Sequence, residues 1–278
     1  MHAVGRTLPA NGAAAQITWH VAELFDPVKR RAAVAEVGAT HLLHLAWFAE
    51  HGRFWRAPEN VAWTGATGEL VQEFAAAGGR RVVVAGTGAE YDWTGSGVLV
   101  EGETPLRPAT LYGVCKDATR RLCEALGEEL GLEVAWGRVF FLYGPGEDER
   151  RLVSGVARAL VRGERAPTSA GTQVRDFMHV DDVGGAFAAL LDSAATGPLN
   201  IATGEGVAVR DLVALIARAA GAEELLDIGA LPMREDEPPR LVGDGRRLRE
   251  EVGFEPAVTL EDGVAATVAD LLRAAARR

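Results

Sequence analysis

The chain is expected to fold as an α/β protein built on a doubly wound parallel sheet. Three apolar runs point there: THLLHLAW from Thr40, RRVVVAG from Arg80 and LEVAWGRVFF from Leu132. Each is continuous rather than alternating, as in strands buried on both faces. Helix-period segments of about 12 to 20 residues separate them, which is the βαβ rhythm of a parallel sheet covered on both sides. With 278 residues the chain can bury a large core.

In order, MHAVGR reads as a short strand, TLPANGAAA as a loop of turn formers and QITWHV as a second strand. Pro27 opens a helix that Gly38 stops. The strand from Thr40 to Trp47 follows, then a helix through ENVAWTGATGELVQEFAAA and the strand ending at Gly86. A polar, glycine-rich loop leads into a long helix from Leu111 to Leu130, stopped by Gly131, and the strand LEVAWGRVFF. Beyond Gly146 the rhythm loosens. The helix RRLVSGVARALVRG, the segment VRDFMHVDDVGGAFAALLDSA, the strand PLNIAT, the helix VRDLVALIARAAG and a final amphipathic helix suggest a smaller unit interleaved with the last strands.

Composition narrows the function classes. Hydrophobic residues make up 48% and charged residues 24%, too apolar for disorder. A net charge of −10 argues against a general role on nucleic acid or on a membrane surface. No apolar run reaches ~18 residues, the length of a membrane span. The first residues contain no h-region of a signal peptide. Cys115 and Cys123, placed on one helix, lie ~12 Å apart, too far for a disulfide. A reducing, cytoplasmic setting is the expectation.

Three features suggest a proton-transfer site. Thr87 ends a buried strand, Tyr112 opens a helix, and Lys116 follows one turn later. With the ordered series HLLHLAW, ENV, RRVVVAGTGAEY, RPATLYGVCK, GRVFFLYGPGE, GTQVRDFMHVDDV, PLNIATGEG and REDEPPRLVGD, the chain resembles the NAD-dependent epimerase/dehydratase family of the extended short-chain dehydrogenase/reductase superfamily. The resemblance implies a Rossmann-type sheet with a C-terminal substrate-binding domain: residues 1–146 and 177–202 in the first, 147–176 and 203–278 in the second. It implies an enzyme acting on a nucleotide-activated sugar by hydride transfer, as a ketoreductase or an epimerase.

The resemblance also assigns residues. Tyr112 is the expected general acid/base, Lys116 the charge that lowers the phenol's pKa and holds the nicotinamide ribose, and Thr87 the group that orients the reacting oxygen. Arg6, Glu23, Leu45 and Ala46 are expected along the cofactor, with Arg6 tilting NAD or NADP towards NADP. Asn60, Arg175 and Arg234 are expected at the substrate, the two arginines on its diphosphate. Gly88 and Ala89 replace the acidic pair of the family's 4,6-dehydratases, which argues against dehydration. His179, Asp181 and Asp182 are read as structural, and no metal is expected. A homodimer through the Tyr–Lys helix is expected by analogy.

The family's opening strand, glycine-rich turn and helix have no counterpart before MHAVGR. Roughly 25 residues of that unit are therefore expected upstream, from a start codon placed too late, and two strands would otherwise keep unpaired edges. Thr64–Gly68 and Gly86–Gly88 mimic the glycine turn but fall in a helix and after the fourth strand. The competing expectation is a non-catalytic relative acting as a binding or sensor module.

Overall fold

The computed structural model describes residues 1–9, 16–95 and 97–276. Most of the loop expected at 7–15 lies outside the described residues. The first unit is β1 (His2–Gly5), β2 (Thr18–Val21) and α1 (Pro27–Val37). Asp26 caps α1 by accepting from the amides of Val28 and Lys29, and Gly38 ends it at φ 56°. Next come β3 (His41–His44), α2 (Glu59–Ala76), β4 (Arg81–Thr87), α3 (Leu111–Leu130), β5 (Glu133–Val139) and β6 (Phe141–Tyr143). The remainder is α4 (Leu152–Val161), β7 (Ala166–Thr168), β8 (Val174–Arg175), β9 (Phe177–His179), α5 (Val180–Asp192), β10 (Gly197–Ile201), β11 (Val207–Ala208), α6 (Val209–Ala220), β12 (Leu226–Ile228), β13 (Arg240–Leu241), α7 (Arg246–Glu250) and α8 (Leu260–Ala276).

A four-stranded parallel sheet in the order β10-β5-β4-β3 forms the centre, with Leu42 opposite Val82 and Val84 opposite Trp136. Its side chains alternate as the pleat requires. Val82, Val84 and Trp136 pack with Val71, Phe74 and Cys123 under α2 and α3, whereas Val83 and Ala135 pack with Phe187 and Leu190 of α5 on the other face. A third core gathers Val156, Leu160, Leu212, Ile216, Val264 and Val268 from α4, α6 and α8.

The expected strand from Thr40 to Trp47 is shorter than its apolar run. It ends at His44, and Leu45 is 56% exposed. The expected LEVAWGRVFF strand is likewise divided, β6 leaving the sheet to pair with β9. Short β7, β12 and β13 were not anticipated; each has two or three residues and takes its partner from far along the chain.

The first two strands form a separate parallel pair. Among the described residues β1 pairs only with β2, and β3 only with β4, so each keeps one edge without a strand partner. What ties this unit down is the buried Arg30 on α1. Its Nε donates to Glu73 of α2 at 2.8 Å, and its guanidinium also bonds Glu69. Phe25 adds a ring contact with Trp63 at 4.6 Å.

Candidate active site

The site forms where β4 ends against the start of α3. Thr87 closes the strand and turns the chain, its side chain accepting from the amide of Ala89 and its own amide donating to Glu90. The short 3₁₀ turn Gly88–Glu90 that results sits directly under the first turn of α3. Thr110 caps that helix by accepting from the amide of Gly113. Gly113 allows the close approach: a Cβ there would lie 2.4 Å from the carbonyl oxygen of Ala89. Gly68 plays the same part on α2, since a Cβ would meet Leu122 of α3 at 2.7 Å. The Thr64–Gly68 stretch is thus helix-packing sequence inside α2.

Thr87 and Tyr112 share the wall of a cavity of about 340 Å³, within the range of small-molecule sites. Aromatic rings dominate the lining, among them Phe54, Trp55, Trp93, Phe140, Phe141 and Phe177. Phe54 and Trp55 meet the Tyr112 ring edge-on at 5.0 and 5.8 Å, and the Tyr112 amide donates to the Trp55 carbonyl. Gly88 and Ala89 also line the cavity. Glu90 does not. It is fully buried, accepting from Trp136 Nε1 at 2.9 Å and Arg138 Nε at 2.7 Å.

Burial pushes the Tyr112 phenol up to about 12, and the charge of Glu90 adds to the rise; Thr87 and Arg151 pull the other way. Lys116 is not among the groups that shift the phenol in the protein alone. Lys116 is 3% exposed and donates from Nζ to the carbonyl of Ala85 at 2.8 Å, back towards the sheet. Its Nζ lies 3.8 Å from the centre of the Trp47 ring. Desolvation pulls its pKa down to about 7, against the opposing charge of Glu90.

The remaining expected residues divide. Arg175 lines the cavity, 3% exposed, and lies over Phe141 with its carbon 5.5 Å from the ring centre. Its Nη1 donates to the carbonyl of Val174 and its Nη2 pairs with Glu237. The neighbouring Asp176 accepts from the amides of Thr203, Gly204 and Gly243 instead. Arg234 is exposed and outside the cavity wall. Asn60, expected at the substrate, is fully buried within the protein. It accepts from Trp47 Nε1 at 2.8 Å and donates to the carbonyls of Phe54 and Ala57 at 2.7 and 2.8 Å. Arg6 and Leu45 are exposed, Glu23 and Ala46 half-buried, and none of the four lines the cavity.

Sequence reasoning missed His51, Glu147, Arg151, Gln173 and Glu237, all in the wall. His51 Nδ1 and Gln173 Oε1 are buried there without a hydrogen-bond partner in the protein. Glu147 holds the amide of Ser154, and burial raises its pKa. Glu147 and Arg151 follow the GPG turn directly, a positional signal that was available in the sequence. His179 and Asp182 serve structure. His179 Nδ1 accepts from the amide of Asp181, and the Asp182 carboxylate accepts from those of Ala257 and Val258. Among the described residues no group of three or more His, Cys, Asp or Glu is arranged to hold a metal ion.

A hydroxyl, a phenol and an ammonium at one strand–helix junction suit the reacting end of a nicotinamide nucleotide. A dinucleotide's pyrophosphate needs free backbone N–H groups, often at a helix start. The N-terminal amides of α1 are already held by Asp26.

Comparison with known proteins agrees with this architecture. The family model described as "NAD dependent epimerase/dehydratase family" matches residues 2–202. A dTDP-glucose 4,6-dehydratase of Streptomyces griseus is 36% identical over 172 residues, covering 60% of this chain and 51% of the relative. The chain spans about half the length of the curated relatives it matches. Among solved structures, MoeE5 in complex with UDP-glucose and NAD superposes with a TM-score of 0.83 at 29% identity, covering 99% of this chain and 91% of that one. The UDP-glucose 4-epimerase of Thermotoga maritima, solved with UDP-glucose, gives a TM-score of 0.86 at 22% identity over 99% of this chain and 91% of that one, a likeness of fold. Among the described residues no helix is long and apolar enough to cross a membrane.

Proposed function

The chain belongs to the NAD-dependent epimerase/dehydratase family, and from that premise we propose that it is an NAD(P)-linked enzyme acting on a nucleotide-activated sugar, with Tyr112 as its proton carrier. The observation that carries this is the shared wall: Thr87 and Tyr112 border one aromatic cavity, with Lys116 a helical turn behind. A nicotinamide, when bound, supplies or takes the hydride. The chain's own residues handle the proton and the orientation. Thr87 positions the reacting oxygen, and Tyr112 exchanges a proton with it.

With its pKa pushed up to about 12, Tyr112 holds its proton at neutral pH, as an ordinary phenol does, and can donate it to a developing alkoxide. The exposed Arg6, available to a 2′-phosphate, favours NADP and with it a ketoreductase that releases its cofactor each turnover. The wall offers Gly88 and Ala89 where a dehydratase needs carboxylates, with Glu90 turned into the core.

The sugar's ring fits among the aromatic side chains, and Arg175 and Arg151 are the cavity's cations for its diphosphate. Residues 147–176 and 203–278, which hold most of the third core, form the substrate side. On the outer face Val61 of α2 and Leu111, Val114 and Leu122 of α3 are 59%, 37%, 48% and 37% exposed, a stripe suited to a homodimer. Two free buried thiols fit a reducing cytoplasm.

The test is turnover of 4-keto-deoxysugar nucleotides with NADPH and NADH, using Tyr112→Phe as control. Loss of ~10²- to 10⁴-fold in kcat is expected; unchanged turnover by Tyr112→Phe would remove the assigned role. A second reading, a non-catalytic binding module, is favoured by one observation only: the sheltered Lys116. Ligand binding without turnover would establish it.

A further inference from the structure

One segment controls both functional side chains of α3. Between the end of β3 and the start of α2, residues 45–58 contain no regular element. Trp47, at its beginning, lies flat over the Lys116 ammonium at 3.8 Å, and its ring centre is 6.1 Å from that of Trp63 on α2. Phe54 and Trp55, near its end, pack on the Tyr112 ring. Asn60 joins the two halves, since the same side chain accepts from Trp47 Nε1 and donates to the carbonyls of Phe54 and Ala57.

We propose that Trp47 is a movable cover on Lys116, latched by Asn60, and that the ammonium becomes available to a ligand only when the indole swings off it. The donor arithmetic supports this. Lys116 has three N–H donors and one hydrogen-bond partner, the Ala85 carbonyl. The remaining charge meets the Trp47 face, with Trp136 farther off at 6.0 Å. A cation–π contact in a desolvated place satisfies an ammonium without a hydrogen bond. It is also weaker than a ribose diol and a second acceptor together, so a bound ligand can displace it. The Trp47 contact and the Asn60 bond break together when the segment moves. That same movement shifts Phe54 and Trp55 from Tyr112, so uncovering the lysine and reopening the phenol side of the cavity are one event. The role of the cover towards a cofactor rests on the reading of Lys116 given under the proposed function.

The chain provides an internal reference for the test, because its lysines are Lys29 and Lys116 alone. Lys29 is 63% exposed in its side chain. Acylation of the full-length chain by an N-hydroxysuccinimide ester at pH 8, read by peptide mass spectrometry, gives the ratio of the two rates without any ligand. An amine with a pKa of about 7 is mostly free base at that pH, so slow acylation of Lys116 reports cover and not charge. The expectation is a Lys116 rate below that of Lys29 in the native protein, rising about 10-fold on Trp47→Ala, which removes both the covering ring and its hydrogen bond to Asn60. Trp47→Phe, which keeps a ring and loses the bond to Asn60, should rise by a smaller factor, with a thermal melt lowered by a few degrees and still cooperative. Equal labelling of both lysines in the native protein would overturn the proposal. So would a Lys116 that stays protected in both variants. NADH and NADPH are added afterwards: renewed protection of Lys116 in Trp47→Ala supports the cofactor reading, and its absence counts against that reading while leaving the cover standing.

Discussion

Replacing Glu90 with Gln is the sharpest probe of how the site is held. The Glu90 carboxylate has no exposure and joins two strands: the end of β4 through the Thr87 amide at 2.9 Å, and β5 through Trp136 and Arg138 at 2.9 and 2.7 Å. Arg138 is equally buried, with Nη1 donating to the Tyr91 hydroxyl at 3.1 Å and Nη2 having no hydrogen-bond partner. Glutamine matches the carboxylate in size but leaves the guanidinium without its counter-charge. Breaking one side of a buried pair typically destabilises by about 3 to 5 kcal/mol. Urea unfolding with a fixed m-value should therefore show a loss in that range. The double variant Glu90→Gln with Arg138→Met should recover part of it, because the stranded charge is gone. A loss under about 1 kcal/mol for Glu90→Gln would refute the reasoning. The pair would then be screened as a surface pair is, and Thr87 would be held by something else. Because the Glu90 charge also helps to raise Tyr112, a surviving variant should show the phenol titrating lower, a shift readable from tyrosinate absorbance.

Two further outcomes follow from the same geometry. The Lys116 pKa of about 7 lies below its ordinary value of 10.5, so below about 7 both folded and unfolded chains hold the proton and the fold carries the full burden of a buried ammonium. Between the two values only the unfolded chain is protonated, and stability rises with pH. Lys116→Met should be more stable than the native chain at pH 7, with the gap narrowing by a few kcal/mol towards pH 10; a gap independent of pH in paired denaturant titrations would contradict the depressed pKa. Gly113→Ala places a Cβ 2.4 Å from the Ala89 carbonyl and 2.8 Å from Pro108, which should cost about 1 to 3 kcal/mol. By moving Tyr112 from Thr87 it should also reduce turnover by about 10²-fold, and an alanine variant of native activity would show that the close approach is dispensable.

How far the sequence reveals this molecule depends on whether the signal is local. Helix α3 is legible because its stop lies in its own sequence: Gly131, at φ 68°, ends it, and the structure adds Thr110 as the cap of its start. The parallel strands are visible in their apolar runs for the same reason. The continuous apolar run alone sets Trp47 in a strand, but its indole finds an acceptor in Asn60, thirteen residues on, and β3 stops at His44. The Arg175 partner is Glu237, 62 residues away, a pairing that no local signal in the sequence marks. Asn60 has the opposite lesson. A resemblance sends it to the substrate, whereas its three hydrogen bonds hold the 45–58 segment.

The proposed site residues and the contacts that hold them are therefore encoded at different ranges. Thr87, Tyr112 and Lys116 are placed by a strand end and one helical turn. Under the proposed cover, whether Lys116 meets a ligand or a tryptophan would be decided by a segment without regular structure, through one cation–π contact and the hydrogen bonds of one buried amide. Contacts of that kind are each worth about 1 to 2 kcal/mol. On that proposal, a change of one residue in that segment would shift the open fraction by about an order of magnitude.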